Sequence, residues 1–213
     1  MSFVMPWAGA FRLQEYVKAV PEALPPMAVE AIRLTILDSR LLGPTQLDGG
    51  FTGTLGFSLT FRRDGLHRLA RTFRAFMPFV EAALLDDCNA FILNPLVVQE
   101  GRGVGAHVDG SLRSYSPTIG CPAAVSVLYV QVPAGLEGGR LRLFRRGRAV
   151  QEVTPTPRTL LTFRGDLAHE VTPVAGDQPK LETARISLVV EQYRLAPSDL
   201  AQIPEFTFYS TVM

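Results

Sequence analysis

Short apolar segments separated by turn-forming residues occupy the chain between Ala90 and Tyr193, and this pattern constrains the fold more than any other feature. Such segments are typical of an all-β sandwich or barrel. Eight of them predict eight strands, over residues 90–99, 105–109, 124–132, 140–145, 149–154, 159–163, 170–174 and 185–193. Because helical patterns precede these strands, the sequence predicts a mainly β jelly roll supported on one outer face by N-terminal helices.

The residues before this region have helical periodicity. Pro25-Pro26 predicts the start of a helix that buries one face and ends near residues 42–44. A glycine-rich loop at 48–50 and an extended segment at 51–61 follow. Asp64 then predicts the cap of a second helix with a kink at Pro78. The apolar residues expected on these two helices are Val29, Ile32, Ile36, Leu66, Leu69, Phe73, Phe76 and Val80.

At 213 residues the chain is long enough for one well-buried core and short for two. We therefore expect a single domain over residues 1–213. Within it, residues 1–88 form a helical and extended N-terminal support, residues 89–195 form the jelly-roll catalytic core, and residues 196–213 form a C-terminal tail.

Charge and cysteine content exclude several classes of protein. The 21 basic residues are nearly cancelled by 20 acidic ones, which argues against a nucleic-acid partner. Cys88 and Cys121 are too few for a disulfide framework, so both are expected to be reduced. Residues 1–11 lack a basic leader with a cleavage site, and no apolar stretch is long enough to span a bilayer. We expect a cytoplasmic protein without a membrane partner.

His107 and Asp109 are the first candidate metal ligands. Side chains at positions i and i+2 share one face of an extended strand, and Gly110 and Ser111 place this pair at a strand end. His169 begins a later segment and would supply a third ligand if the two strands are neighbours. Two imidazoles and one carboxylate can bind one face of Fe(II) and leave the other positions open.

Arg185 and Ser187 form the second candidate site, at the start of the last apolar segment. The guanidinium of arginine is a planar cation suited to binding a carboxylate through two hydrogen bonds. A metal site combined with an anion site indicates an oxygenase that uses an acidic cosubstrate.

Together these residues resemble the Fe(II)/2-oxoglutarate-dependent dioxygenases, which have a cupin-like double-stranded β-helix fold, over roughly residues 89–193. Segments 125–132, 137–144 and 169–174 are most similar to the prolyl-hydroxylase branch, in which a Gly-Gly pair opens a strand. The resemblance implies that iron is bound by His107, Asp109 and His169, and that the distal carboxylate of 2-oxoglutarate is bound by Arg185, Ser187 and Tyr129.

The implied reaction is hydroxylation of an unactivated C–H bond in a small molecule, amino acid or peptidyl side chain, with consumption of O2 and release of succinate and CO2. Asp109 favours hydroxylation or desaturation, because related halogenases have a small residue there. One alternative is an oxidative nucleic-acid demethylase with the same iron site. Another is a non-catalytic cupin-like metal-binding module, which would not need Arg185.

The sequence departs from its relatives at two places near the site. The tyrosine that many relatives have about nine residues before the first metal histidine is absent, and Val98 and Gln99 occupy that region. The loop at 175–183 is enlarged and contains Lys180, a rival anchor for 2-oxoglutarate. We prefer Arg185, since a residue on a regular strand is better fixed than one in a loop. The loop at 110–122 could be either a lid or an ordinary exposed loop.

Overall fold

The computed structural model describes residues 15–45, 53–176 and 180–212. The expectations for residues 1–11 and for the loop at 48–50 lie outside these ranges. The described residues form four α-helices: α1 (Pro26–Leu37), α2 (Leu66–Thr72), α3 (Met77–Ala83) and α4 (Pro197–Leu200). They also form thirteen strands: β1 (Val17–Val20), β2 (Gly43–Pro44), β3 (Leu55–Gly56), β4 (Ser58–Arg62), β5 (Ala90–Val98), β6 (Val104–His107), β7 (Ala124–Gln131), β8 (Leu141–Arg145), β9 (Arg148–Val153), β10 (Leu160–Arg164), β11 (Ala168–Val171), β12 (Arg185–Tyr193) and β13 (Phe206–Tyr209).

The strands form two antiparallel sheets. The larger sheet has the order β1-β10-β7-β12-β5-β3-β2, and β4 joins it by pairing with β5 and with β13. The smaller sheet has the order β6-β11-β8-β9. Residues from both sheets line one cavity. This mainly β, two-sheet architecture with few helices confirms the predicted jelly roll.

Each of the eight segments expected between Ala90 and Tyr193 contains a strand. The largest displacement is in β11, which begins at Ala168 instead of Glu170 because Ala168 already pairs with Phe144 of β8. His169 therefore lies inside a strand, where backbone pairing on both sides holds it.

The N-terminal helices differ from expectation. Helix α1 has the predicted buried face but ends at Leu37, several residues early. The second predicted helix is divided into α2 and α3, because Phe73 has a non-helical backbone (φ −129°, ψ 57°). Its ring stacks on Phe76 at 5.4 Å. Pro78 lies in the first turn of α3, where its missing N–H removes no helical hydrogen bond, so the predicted kink is wrong.

Strand β12 separates the hydrophobic core from the cavity. Its even-numbered residues Ile186, Leu188 and Val190 pack into the main core with the helices. Its odd-numbered residues face the opposite way, and Arg185, Ser187, Val189 and Glu191 line the cavity. This is the two-residue alternation of a strand, and it places a polar row opposite an apolar one.

The segments outside the predicted catalytic core also contribute to the larger sheet. Strands β1 to β4 come from the N-terminal part and β13 from residues 196–213. None of the helices in the described ranges is long and apolar enough to cross a membrane. Cys88 and Cys121 are both free thiols.

Candidate metal centre

His107, Asp109 and His169 come together where β6 pairs with β11. His169 lies opposite His107 in that pairing, and Asp109 follows just beyond the end of β6. One ligand atom from each residue lies within 4.8 Å of the others. The Asp109 carboxylate is 3.3 Å from His107 Nε2 and 3.5 Å from His169 Nε2. These three side chains could therefore hold a single metal ion.

Backbone carbonyls orient both imidazoles. Nδ1 of His107 is 2.8 Å from the Gly105 oxygen, and Nδ1 of His169 is 3.2 Å from the Leu167 oxygen. A carbonyl oxygen only accepts hydrogen bonds, so Nδ1 carries the proton in each neutral ring. In this tautomer the lone pair of each Nε2 points towards Asp109 and is free to bind a metal ion.

The two histidines differ in protonation. Burial lowers the pKa of His169 and favours the neutral ring. Burial also disfavours a charge on His107, but its contacts with Asp109 and the Gly105 carbonyl outweigh this and raise its pKa. A metal ion would take the place of that proton, so metal binding should release protons.

A cavity lies beside these residues, and all three of them line it. Its walls between the sheets are mostly apolar, formed by Val125, Val127, Leu141, Phe163, Val171 and Val189. The ring of Phe163 packs edge-on against His169, with centroids 5.0 Å apart. Apolar walls lower the local dielectric constant and strengthen the interactions of the few polar groups present.

Arg185 is the largest fully buried side chain of the described residues, with 1% of its surface exposed. Its Nε and Nη1 atoms have no hydrogen-bond partner within that part of the chain. The guanidinium lies 4.9 Å from the centre of the Tyr129 ring. A Cβ atom on Gly139 would approach the Arg185 stem to 3.0 Å, and Gly139 also has a positive φ of 61°. Gly139, the second residue of the Gly-Gly pair, thus leaves room for this arginine.

Two hydroxyl groups accompany the guanidinium. Ser187 is opposite Tyr129 in the pairing of β12 with β7. The hydroxyl oxygens of both side chains are buried and also have no partner in the described ranges. Buried polar groups are normally hydrogen-bonded, so this cluster of unpaired donors fits a bound carboxylate. Lys180, the rival anchor, is exposed and does not line the cavity.

Neither a protein-family model nor a curated protein matches the sequence. Solved structures do match the fold. A prolyl-4-hydroxylase from Pseudomonas putida aligns with a TM-score of 0.53 and 19% identity, covering 84% of this chain and 92% of that one. An oxidoreductase of the 2OG-Fe(II) oxygenase family from Burkholderia pseudomallei aligns with a TM-score of 0.53 and 16% identity, covering 84% and 85%. This chain has the fold of these oxygenases.

A viral protein of known structure also has a similar fold. The collagen prolyl hydroxylase of Paramecium bursaria Chlorella virus-1, solved with 2-oxoglutarate, aligns with a TM-score of 0.50 and 14% identity, covering 84% of this chain and 96% of that one. At these identities the similarity shows the fold alone and assigns no role to the residues of the site.

Sequence reasoning missed several polar residues that line the cavity, among them Asn94 and Glu191. Glu191 is 2% exposed, and burial together with the nearby charge of Asp109 raises its pKa to about 8. The sequence could have indicated this position, because Glu191 and Arg185 are both odd-numbered residues of one strand and therefore share a face. Asn94 interrupts the apolar segment of β5, which is a weaker signal.

The loop at 110–122 is held in place at several points. Leu112 and Ile119 are buried. The hydroxyl of Thr118 donates to Asp199 at 2.7 Å, and the hydroxyl of Tyr115 donates to Thr60 at 3.4 Å. The loop thus packs against neighbouring segments of the chain.

Proposed function

We propose that this protein is an Fe(II)- and 2-oxoglutarate-dependent dioxygenase that hydroxylates an unactivated C–H bond of a small molecule, amino acid or peptidyl side chain. One observation supports the proposal most directly: Arg185 lines the same cavity as the His-Asp-His cluster, and its buried Nε and Nη1 atoms have no hydrogen-bond partner among the described residues. A module that only binds metal gains nothing from burying an arginine without a counter-ion.

The donor set fits iron. His107, Asp109 and His169 would hold Fe(II) through two neutral nitrogens and one carboxylate oxygen, which leaves positions for a cosubstrate and O2. When bound, iron with 2-oxoglutarate supplies the oxidising chemistry that inserts an oxygen atom into a C–H bond and releases succinate and CO2. The Gly105 and Leu167 carbonyls keep both imidazoles in the metal-binding tautomer.

The residues of β12 and β7 would bind the cosubstrate. Arg185 can donate two parallel hydrogen bonds to the distal carboxylate of 2-oxoglutarate, and the hydroxyls of Ser187 and Tyr129 can each donate one more. The apolar walls exclude water from the space between this carboxylate site and the metal ligands. We further propose that residues 1–213 form one domain, in which residues 89–195 carry the reaction.

The test begins in the absence of oxygen. Addition of Fe(II) and 2-oxoglutarate to the purified full chain should produce the visible charge-transfer absorption of the iron–keto-acid complex. Admission of air should then release succinate. If wild-type protein gives neither the absorption band nor succinate, the proposal is wrong. Zn(II) in place of Fe(II) is the control, since its filled d shell gives no such band.

A further inference from the structure

We propose that the substrate of this dioxygenase carries a protonated amine or guanidinium, and that Glu191 and Asn94 bind this cation beside the metal ligands. The inference rests on the proposed function and adds a substrate class to it. The observation behind it is that charged groups are unequally distributed along the cavity.

Arg185 and Glu191 mark opposite ends of the polar row on β12. They are six residues apart on one face, which corresponds to roughly 20 Å at about 3.3 Å per residue. The end with Arg185, Ser187 and Tyr129 offers hydrogen-bond donors and suits an anion. The end with Glu191 offers acceptors and would repel a second carboxylate. The cavity can therefore hold two ligands of opposite charge.

Glu191 is fixed close to the metal ligands. The hydroxyl of Ser111, two residues after Asp109, donates to Glu191 Oε1 at 2.5 Å, and the Ser111 N–H donates to Oε2 at 3.3 Å. The hydroxyl of Tyr193 donates to Oε2 as well. All three donors are uncharged. A carboxylate accepts about four hydrogen bonds, so one position remains for a ligand.

Glu191 has no permanent cationic partner in the part of the chain that the structure describes. No lysine or arginine of the described ranges forms an ion pair with it, and its carboxyl lines the cavity. His107 acts on it electrostatically, but His107 is neutral when it binds a metal. Burial favours the protonated form of Glu191, and a cationic ligand paired with it would stabilise the carboxylate form and complete this site.

Asn94 supports the same conclusion independently. It is 7% exposed and lines the cavity, and its Oδ1 atom has no hydrogen-bond partner among the described residues. It is opposite Val189 in the pairing of β5 with β12, one step along the face from Glu191. Ionised 2-oxoglutarate has no N–H or O–H group to offer this oxygen. A donor on the substrate would satisfy this oxygen, and a protonated amine has three.

The charges of the loaded site are consistent with a cationic substrate. Fe(II), the Asp109 carboxylate, dianionic 2-oxoglutarate and the Arg185 guanidinium together carry no net charge. Burial favours the protonated form of Glu191, and ionised Glu191 adds one negative charge within apolar walls. A substrate with one positive charge stabilises the ionised form and neutralises the cavity, whereas a neutral or anionic substrate has no ionic partner there.

The experiment measures binding to the anaerobic Fe(II)–2-oxoglutarate complex by calorimetry, with butylammonium, butylguanidinium, butanol and butyrate as probes. One of the two cations should bind at least about tenfold more tightly than butanol, because a charge-assisted hydrogen bond contributes roughly 1.5–3 kcal/mol. Butyrate should bind most weakly. Equal binding of butanol and both cations overturns the inference, while the charge-transfer band of wild-type protein reports on the proposed function separately.

Substitutions at the two proposed binding residues test where the cation binds. Glu191→Gln and Asn94→Leu should each reduce the preference for the cation over butanol, and the charge-transfer band should persist in both. Glu81→Gln changes an exposed carboxyl on α3 and should leave the preference intact. Loss of the band in Glu191→Gln would mean that Glu191 serves only to hold the turn after Asp109, and would overturn its role in substrate binding.

Discussion

His169 lies directly opposite His107 in the antiparallel pairing of β11 with β6, and their ring centroids are 4.3 Å apart. Two residues 62 positions apart in the chain thus meet through strand register. A slip of one residue in this pairing would turn one imidazole to the other face of the sheet. The proposed metal centre therefore depends on the register of the smaller sheet.

Replacement of His169 by alanine should lower Fe(II) affinity by more than about 100-fold, because loss of a direct ligand exceeds the 10–100-fold effect of losing a residue that only orients one. Anaerobic calorimetry with Fe(II) measures this change. His67→Ala is the matched control, since His67 lies on α2 with 60% of its side chain exposed and outside the cluster. Equal loss in both variants would contradict the assignment.

Replacement of Arg185 by alanine should weaken 2-oxoglutarate binding by about 3 kcal/mol, or roughly 150-fold, because two charge-assisted hydrogen bonds are lost. Titration of the charge-transfer band with 2-oxoglutarate measures the affinity, and Fe(II) affinity without cosubstrate should be unchanged. Lys180→Ala should have no effect. If only Lys180→Ala weakened binding, Lys180 would be the anchor.

Arg185→Met should increase the free energy of unfolding of the metal-free protein by about 1–3 kcal/mol, because it removes a buried charge without a hydrogen-bonded partner at Nε and Nη1. Urea unfolding without 2-oxoglutarate measures this. Arg33→Met, which removes an exposed ion pair with Glu30, should change stability by less than about 1 kcal/mol. A large loss in Arg185→Met would show that contact with Tyr129 outweighs the burial of the charge.

Cys88 should make the protein less stable in alkaline solution. Burial raises the pKa of its thiol to about 11, above the value of about 8.5 expected in the unfolded chain. Its contribution is complete below the unfolded pKa and is lost as pH rises towards 11, since the unfolded thiol ionises first. Urea unfolding at pH 7 and pH 10 should show a loss of about 2 kcal/mol that is absent in Cys88→Ala. Cys121→Ala, at an exposed position, should retain the loss.

Much of the β-rich half could be predicted because its signal is local. Apolar segments between turn residues give the eight strands within a few positions, and the i, i+2 spacing gives the shared faces of His107 with Asp109 and of Arg185 with Ser187. The N-terminal helices were less predictable. Phe73 interrupts the second one because packing its ring against Phe76 outweighs the continuation of the helix.

The sequence by itself determined which residues alternate along each strand and which of them have metal-binding or carboxylate-binding chemistry. Only the tertiary structure decided which face of β12 meets the core, that β6 and β11 are neighbours, and that Glu191 and Asn94 line the same cavity as the candidate metal ligands. The reason is physical. Alternation depends on the backbone of a single strand, whereas neighbours and facing side chains depend on hydrogen bonding and packing between segments distant in sequence, for which no local pattern exists.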